Sequence, residues 1–308
     1  MTEPERVRQH SRTREVSAAY WERVVASDFA VPTDRSLIEH TVELVDLLAS
    51  PDAHLRDALA CEVLATWVRR GVYDDLLPGL GDGMGRGLAA GLGDRGTDSV
   101  FRRSYSAVVL TAVLERDNTA HLLHPDVVLR WGDRGLHWFL TEQDLRGWAG
   151  AGGWAHVVSH GADLLAALAR SRHLDRYGVG VVLDSLLSRL ERTDGWLLRH
   201  GEEVRLAYAT MAALQREPLD DAGLRAVFER AAALGSEPLD GARADTRQNV
   251  LAWLRELHTQ VLLGVRAMPW YGDGDYFAEE TPRRERVIQL VREALRAYAP
   301  AYYRAARS

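Results

Sequence analysis

Three side chains able to move protons lie within eight positions of one another, His156, His160 and Asp163, in the run Trp154-Ala-His-Val-Val-Ser-His-Gly-Ala-Asp163. On a helix turning 100° per residue they fall within roughly 60° of one another, so a helix over residues 154–171 carries them on a single stripe. Val157, Leu164, Leu165 and Leu168 form the apolar stripe of the same helix, centred about 120° away. The His-Asp stripe is therefore free to face something other than the core. Two imidazoles one turn apart, with a carboxylate, can chelate a divalent metal. One imidazole oriented by the carboxylate can act as a general base. The same three side chains can instead join neighbouring helices by hydrogen bonds. These readings stay open; His156, His160 and Asp163 are the catalytic candidates, and no metal is assigned to them.

Aromatic residues gather beside this stripe. Trp131, Trp138, Trp148 and Trp154 fall in one 24-residue stretch interleaved with Arg130, Arg134 and Arg146. Flat walls and guanidinium forks suit a pocket for a planar or anionic ligand, and equally a core with snorkelling arginines. Trp148, Trp154, Arg102, Arg103 and Glu203 are the ligand-binding candidates. Arg56 and Arg205 read as salt-bridging residues between repeats.

Several chemistries are excluded by composition. All 38 Lys+Arg residues are arginine. Without lysine there is no phosphate-loop lysine, no Schiff base for pyridoxal phosphate and no Ser-x-x-Lys pair. The one cysteine, Cys61, cannot build an intrachain disulfide, a four-thiolate zinc site or an iron-sulfur cluster. No cofactor is expected. Gly85-Arg-Gly87-Leu-Ala-Ala90 matches a dinucleotide-binding string formally, but Val72-Tyr-Asp-Asp-Leu-Leu-Pro78 is not the buried strand that motif requires, so the glycines read as close helix contacts. Ser159-His160-Gly161 lacks the leading glycine of a nucleophile elbow. With 44 acidic against 38 basic residues, net −6, the chain lacks the excess that nucleic-acid binders use. Apolar runs such as Ala107 to Leu114 are far short of the roughly 20 residues that span a bilayer. Neither nucleic acid nor membrane is expected as a partner, and a cytoplasmic location is.

The elements that position these residues are helices. Across 308 residues, 46% of them apolar, the i, i+3, i+4, i+7 pattern recurs from end to end, as in Leu183, Leu186, Leu187 and Leu190. It predicts twelve helices, over 14–28, 35–49, 51–70, 73–91, 98–116, 125–141, 154–171, 176–191, 201–215, 220–234, 243–263 and 282–298. Ser50 reads as an N-cap before Pro51, and Gly71 as the stop of that helix. With two isoleucines and no strand-turn-strand alternation, no sheet is expected. Weak internal likeness aligns Ser50 to Ala60 with Thr97 to Ala107, pairing Arg56 with Arg103, 47 positions on; Arg205 and Arg247, 42 apart, sit in similar runs. These intervals suit an all-α solenoid of about six helix pairs of the HEAT or armadillo type. The expected layout is a polar arm over 1–16 and one domain over 17–308, with 265–281 an aromatic lid or a packed connector.

The runs Leu55-Arg-Asp57, Gly71-Val-Tyr-Asp-Asp-Leu-Leu77, Gly96 to Ser106, Asp144-Leu-Arg-Gly-Trp148, Gly153 to Asp163 and His200-Gly-Glu-Glu-Val-Arg205 resemble the bacterial domain of unknown function family 2785 over roughly residues 20 to 265. That resemblance implies a helical fold and brings no activity. On the residues alone, the expectation is a concave surface that binds a polar or anionic small molecule or a peptide. The alternative is an enzyme using the His-Asp stripe for acid-base chemistry in a hydrolysis, elimination or cyclisation.

Overall fold

The computed structural model describes residues 18–193, 195–235, 241–268, 274–298, 300 and 303. The expected arm over 1–16 and part of the aromatic segment, including Trp270 and Tyr271, lie outside the described residues. Within them the fold is all-α, with twelve helices and no strand. A helix over residues 18–26 (α1) is followed by α2 (Leu37–Leu47). A wide π-helical segment, His54–Cys61, then runs without a break into α3 (Glu62–Arg69). Next come α4 (Leu77–Leu88), α5 (Ser99–Ala120), α6 (Pro125–Thr141), α7 (Val157–Arg170) and α8 (Arg176–Glu191). The chain continues through α9 (Glu202–Leu214), α10 (Asp221–Gly235), α11 (Gly241–Leu263) and α12 (Arg284–Tyr298).

Local chemistry explains the boundaries. Ser36 and Glu39 form a reciprocal capping box at the start of α2. Asp175 accepts the Gly178 N–H at 2.8 Å to open α8. Gly71, at φ +78°, ends α3 with the paired bonds Val72 N–H to Trp67 O, 2.9 Å, and Gly71 N–H to Val68 O, 3.0 Å, which occupy carbonyls the helix would otherwise leave open. The expected cap at Ser50 is displaced. Its hydroxyl oxygen accepts from Asp52 N, but Asp52 Oδ1 is the group that meets His54 N at 2.9 Å, and the helical run starts there.

The helices pack in two rows. The odd-numbered helices α3, α5, α7, α9 and α11 each lie against the next, and α4, α6, α8, α10 and α12 do the same. One continuous buried cluster runs from Trp21 to Tyr298. The glycine string Gly85 to Gly87 falls within helix α4, where Gly81, Gly85 and Gly87 serve contact. A Cβ on Gly81 would stand 2.2 Å from the Trp131 ring, and one on Gly87 would stand 2.0 Å from Ser106 Oγ. No described helix is long and apolar enough to cross a membrane.

Two substitutions in α4 test this packing. Gly79 has nothing within 4 Å of its would-be Cβ, so Gly79→Ala is expected to stabilise by up to about 1 kcal/mol through helix propensity alone. Gly81→Ala gains the same propensity yet collides with Trp131, and a net loss of about 1 to 3 kcal/mol is expected. Chemical denaturation of the two variants should therefore give opposite signs.

Candidate functional site

The site begins with a buried arginine. Arg56, fully buried at the front of α3, donates from Nη1 to Ser50 O (2.8 Å) and from Nη2 to Gly152 O (2.8 Å) and Trp154 O (3.3 Å). Its guanidinium lies over the Phe101 ring at 4.0 Å. This clamp ties the α6–α7 loop to the π-helical segment, with Phe101 of α5 packed beneath it. Within that loop Gly147 O accepts from both Ala155 N and His156 N, at 2.8 and 3.1 Å. The backbone turns left-handed at Gly153 (φ +74°) and again at His156 (φ +47°). The helix therefore starts at Val157, three residues later than the spacing predicts, and His156 stands before it rather than on its stripe. The His156 ring lies flat on Trp154, centroids 4.2 Å apart and planes 2° apart.

His160, one turn into α7, is held from behind. Ser104 gives its only hydroxyl hydrogen to Ala155 O, so the 2.8 Å contact between Ser104 Oγ and His160 Nδ1 has the imidazole N–H as donor. The neutral ring consequently carries its lone pair on Nε2. Desolvation, reinforced by His156, Arg205 and Arg56, holds the His160 pKa well below the ordinary histidine value. Burial is also the largest influence lowering His156, where Glu202 opposes it and Arg205 and His200 add to it.

A cavity of about 340 Å³ opens along the odd-numbered row, between α3, α5, α7 and α9. Its polar lining comprises Glu62 and Arg69 from α3, Thr111 and Glu115 from α5, His160 and Asp163 from α7, and Arg205 from α9. Asp163 Oδ1 accepts from Arg205 Nη1 at 3.1 Å, joining α7 to α9. Glu115 is ion-paired to the buried Arg170. Cys61 also lines the cavity; burial first, then Asp57 and Glu62, push its thiol up to about 12, so it is a protonated wall and not a nucleophile. The arrangement offers a ligand a neutral imidazole acceptor, carboxylates and guanidinium donors against the apolar sides of Ala65, Val108 and Ala112. Among the described residues no three His, Cys, Asp or Glu side chains are grouped to hold a metal ion.

The structure brings His160 and Asp163 together on this cavity, with His156 beside them at 5.6 Å between the imidazole centroids. It does not bring the other sequence candidates there. Arg103 is fully buried, paired to the buried Glu142, and donates to Ala90 O (3.1 Å), Gly91 O (2.8 Å), Ser99 Oγ (2.9 Å) and Asp94 O (3.3 Å). With both faces of its fork spent on protein groups, it joins α5 to the end of α6. Arg102 turns to α2, donating to Val45 O and lying 3.7 Å from Asp46. Trp148 and Trp154 pack edge to face at 4.9 Å on the α6–α7 loop, 50% and 37% exposed. Glu203 is half-buried in the first turn of α9 and is not part of the cavity wall. Arg205, read from the sequence only as a salt-bridging residue, does bridge and also lines the cavity. Glu62, Arg69 and Glu115 were missed; each has the helical spacing of an ordinary polar face, and only the packing of α3 on α5 and of α5 on α7 turns them toward α7 and α9. Tyr276, from the expected lid, donates to Ala212 O at 2.7 Å and packs on Phe277, which in turn meets Tyr208 of α9.

The family model described as "Protein of unknown function (DUF2785)" matches residues 88–259, more than half of the chain. No curated protein and no solved structure matches it.

Two outcomes are expected from these contacts. Arg103→Ala strips Glu142 of its buried partner and should cost about 3 to 5 kcal/mol, whereas Arg102→Ala, on a partly exposed side chain, should cost about 1 kcal/mol or less. A near-neutral Arg103→Ala in a denaturant melt would return that residue to a ligand role. Because the folded state holds His160 and His156 below the ordinary value of 6.5, the unfolded chain takes up protons first as pH falls. Stability should therefore be level above that value and decline below it, by about 1.4 kcal/mol for each pH unit separating folded and unfolded pKa values. His160→Gln should flatten much of the decline in melts between pH 8 and 5; an unchanged slope would show that His160 is not the group responsible.

Proposed function

The chain belongs to the DUF2785 family, which carries no activity with it, and from the geometry of the cavity we propose that the protein binds a small polar or anionic molecule there without transforming it. The observation that carries this reading is the convergence of His160, Asp163 and Arg205, from two helices, on one cavity whose opposite walls supply Glu62, Arg69 and Glu115. Polar groups that meet on a concavity while being braced from behind, as Ser104 braces His160 and Arg170 braces Glu115, are already in the arrangement a ligand would need. The cavity of about 340 Å³ favours a small molecule over a peptide segment. Two rows of successively packed helices support a HEAT- or armadillo-like solenoid in which the odd-numbered row is the concave side.

The enzymatic reading has one observation in its favour. His160 is a neutral imidazole whose Nδ1 is fixed on Ser104, the state in which Nε2 can take a proton from a ligand. In that reading Ser104, not Asp163, orients the base, since Asp163 is joined to Arg205.

A thermal-shift screen of organic acids and amino acids on the full chain tests the proposal. At least one compound should raise the unfolding midpoint by several degrees, as expected when ligand is well above its Kd, and the shift should vanish in Arg205→Ala with the helical circular dichroism intact. A screen without hits, or hits indifferent to Arg205→Ala, would overturn it. Conversion of a hit into product by the wild type but not by His160→Gln would replace binding with catalysis.

A further inference from the structure

A second constellation lies far along the chain from His160 and does not depend on the reading above. In α11, Arg255, His258 and Thr259 stand at i, i+3 and i+4; in α12, Arg292 and Arg296 stand one turn apart. The two helices pack on each other, and all five side chains line one cavity of about 510 Å³. Its lining contains no carboxylate among the described residues.

Many guanidinium groups elsewhere find carboxylates, as Arg116 does with Asp74, Arg172 with Asp117, Arg230 with Glu191 and Arg286 with Asp221. The chain has acids to spare, 44 against 38 bases. Yet neither the Arg255 nor the Arg292 side chain has a hydrogen-bond or ion-pair partner among the described residues. Arg255 and Arg292, one from each helix on the same cavity, repel one another, and the repulsion is lifted when a multivalent anion enters. Burial first, and then the neighbouring Arg292, lower the pKa of His258 below the ordinary histidine value. Arginine forks match the tetrahedral, doubly charged oxygen set of a phosphate group, with which they form paired charge-assisted bonds; a single carboxylate would leave most of the charge unmatched.

We propose that the α11–α12 cavity is a phosphate site that takes the phosphate group of a small molecule, with Arg255, Arg292 and Arg296 as its cationic wall and Thr259 as a hydroxyl partner.

The test uses the full chain and pyrophosphate as probe, titrated by calorimetry and by thermal unfolding at ionic strength held constant with chloride. Saturable binding at one site per chain is expected, weakened about tenfold or more in Arg255→Ala and in Arg292→Ala, as loss of one charge-assisted contact implies. Without pyrophosphate, both variants should unfold at the wild-type temperature or above it, because removing one cation relieves the others. Should either variant fold poorly, Arg292→Gln, which keeps most of the side chain, serves in its place. Absence of saturable binding, binding of equal strength in the variants, or a lowered midpoint of both variants in chloride alone would each overturn the proposal.

Discussion

Guanidinium groups set between packed helices are the constraint on which the rest of this fold rests. Glu142, at the end of α6, is almost wholly inside the protein and accepts from Arg103, from Trp138 Nε1 and from the backbone N–H groups of Gln143 and Asp144. Arg189 of α8 donates to Phe139 O and Glu142 O. One carboxylate and two arginines thereby tie α5, α6 and α8 together. Farther along, Arg172 meets Asp117 and Leu123 O, and Arg216 meets the carbonyls of Ala169, Ser171 and Leu174. A lysine could supply neither the planar fork nor the number of donors these sites consume. A charge as deeply enclosed as that of Arg103 or Arg189 stays only while its partners do, so each such tie fixes the relative position of the helices it joins.

The cavity inherits its geometry from these ties. Arg56 holds Gly152 O and Trp154 O, which places Ala155 O where Ser104 can reach it, and Ser104 in turn fixes the tautomer and direction of His160. The path from an enclosed cation to the cavity imidazole passes through two carbonyls and one hydroxyl. None of these groups carries reactive chemistry itself. The accuracy of the site is a property of the loop that joins α6 to α7 and of the helix starts it touches.

Helix positions were legible from the chain because apolar spacing, proline and glycine act locally. The spans over 125–141 and 176–191 coincide with α6 and α8. The N-terminal limit of α7 was not legible: Trp154-Ala-His156 has helical spacing, but the Arg56 clamp and the left-handed Gly153 pull it out of the helix. That His160 and Asp163 share one side of the helix was legible because their stripe lies off the apolar face, which is a property of one helix, and both line the cavity. Arg103 was misplaced because a buried fork and a ligand-binding fork are the same letter, and Glu142, 39 positions away, gives no local sign of the pairing. The cluster on α11 and α12 has readable spacing on each helix, yet only the packing of one helix on the other reveals that the two sets share a space.

The wide π-helical stretch His54–Cys61 has a further consequence. Such a stretch holds one residue more than the α-helical path it replaces, and every residue beyond it is turned by about 100° relative to those before. At its start, in the first turn, stands Arg56, aimed at Gly152 and Trp154; after it stand Glu62, Ala65 and Arg69, aimed into the cavity. A regular helix through the same two ends could satisfy one direction or the other. The extra residue behaves as a phase shifter, and a single-codon deletion there would rotate the α3 wall out of the cavity while leaving all the remaining side chains and nearly all of the helix content in place.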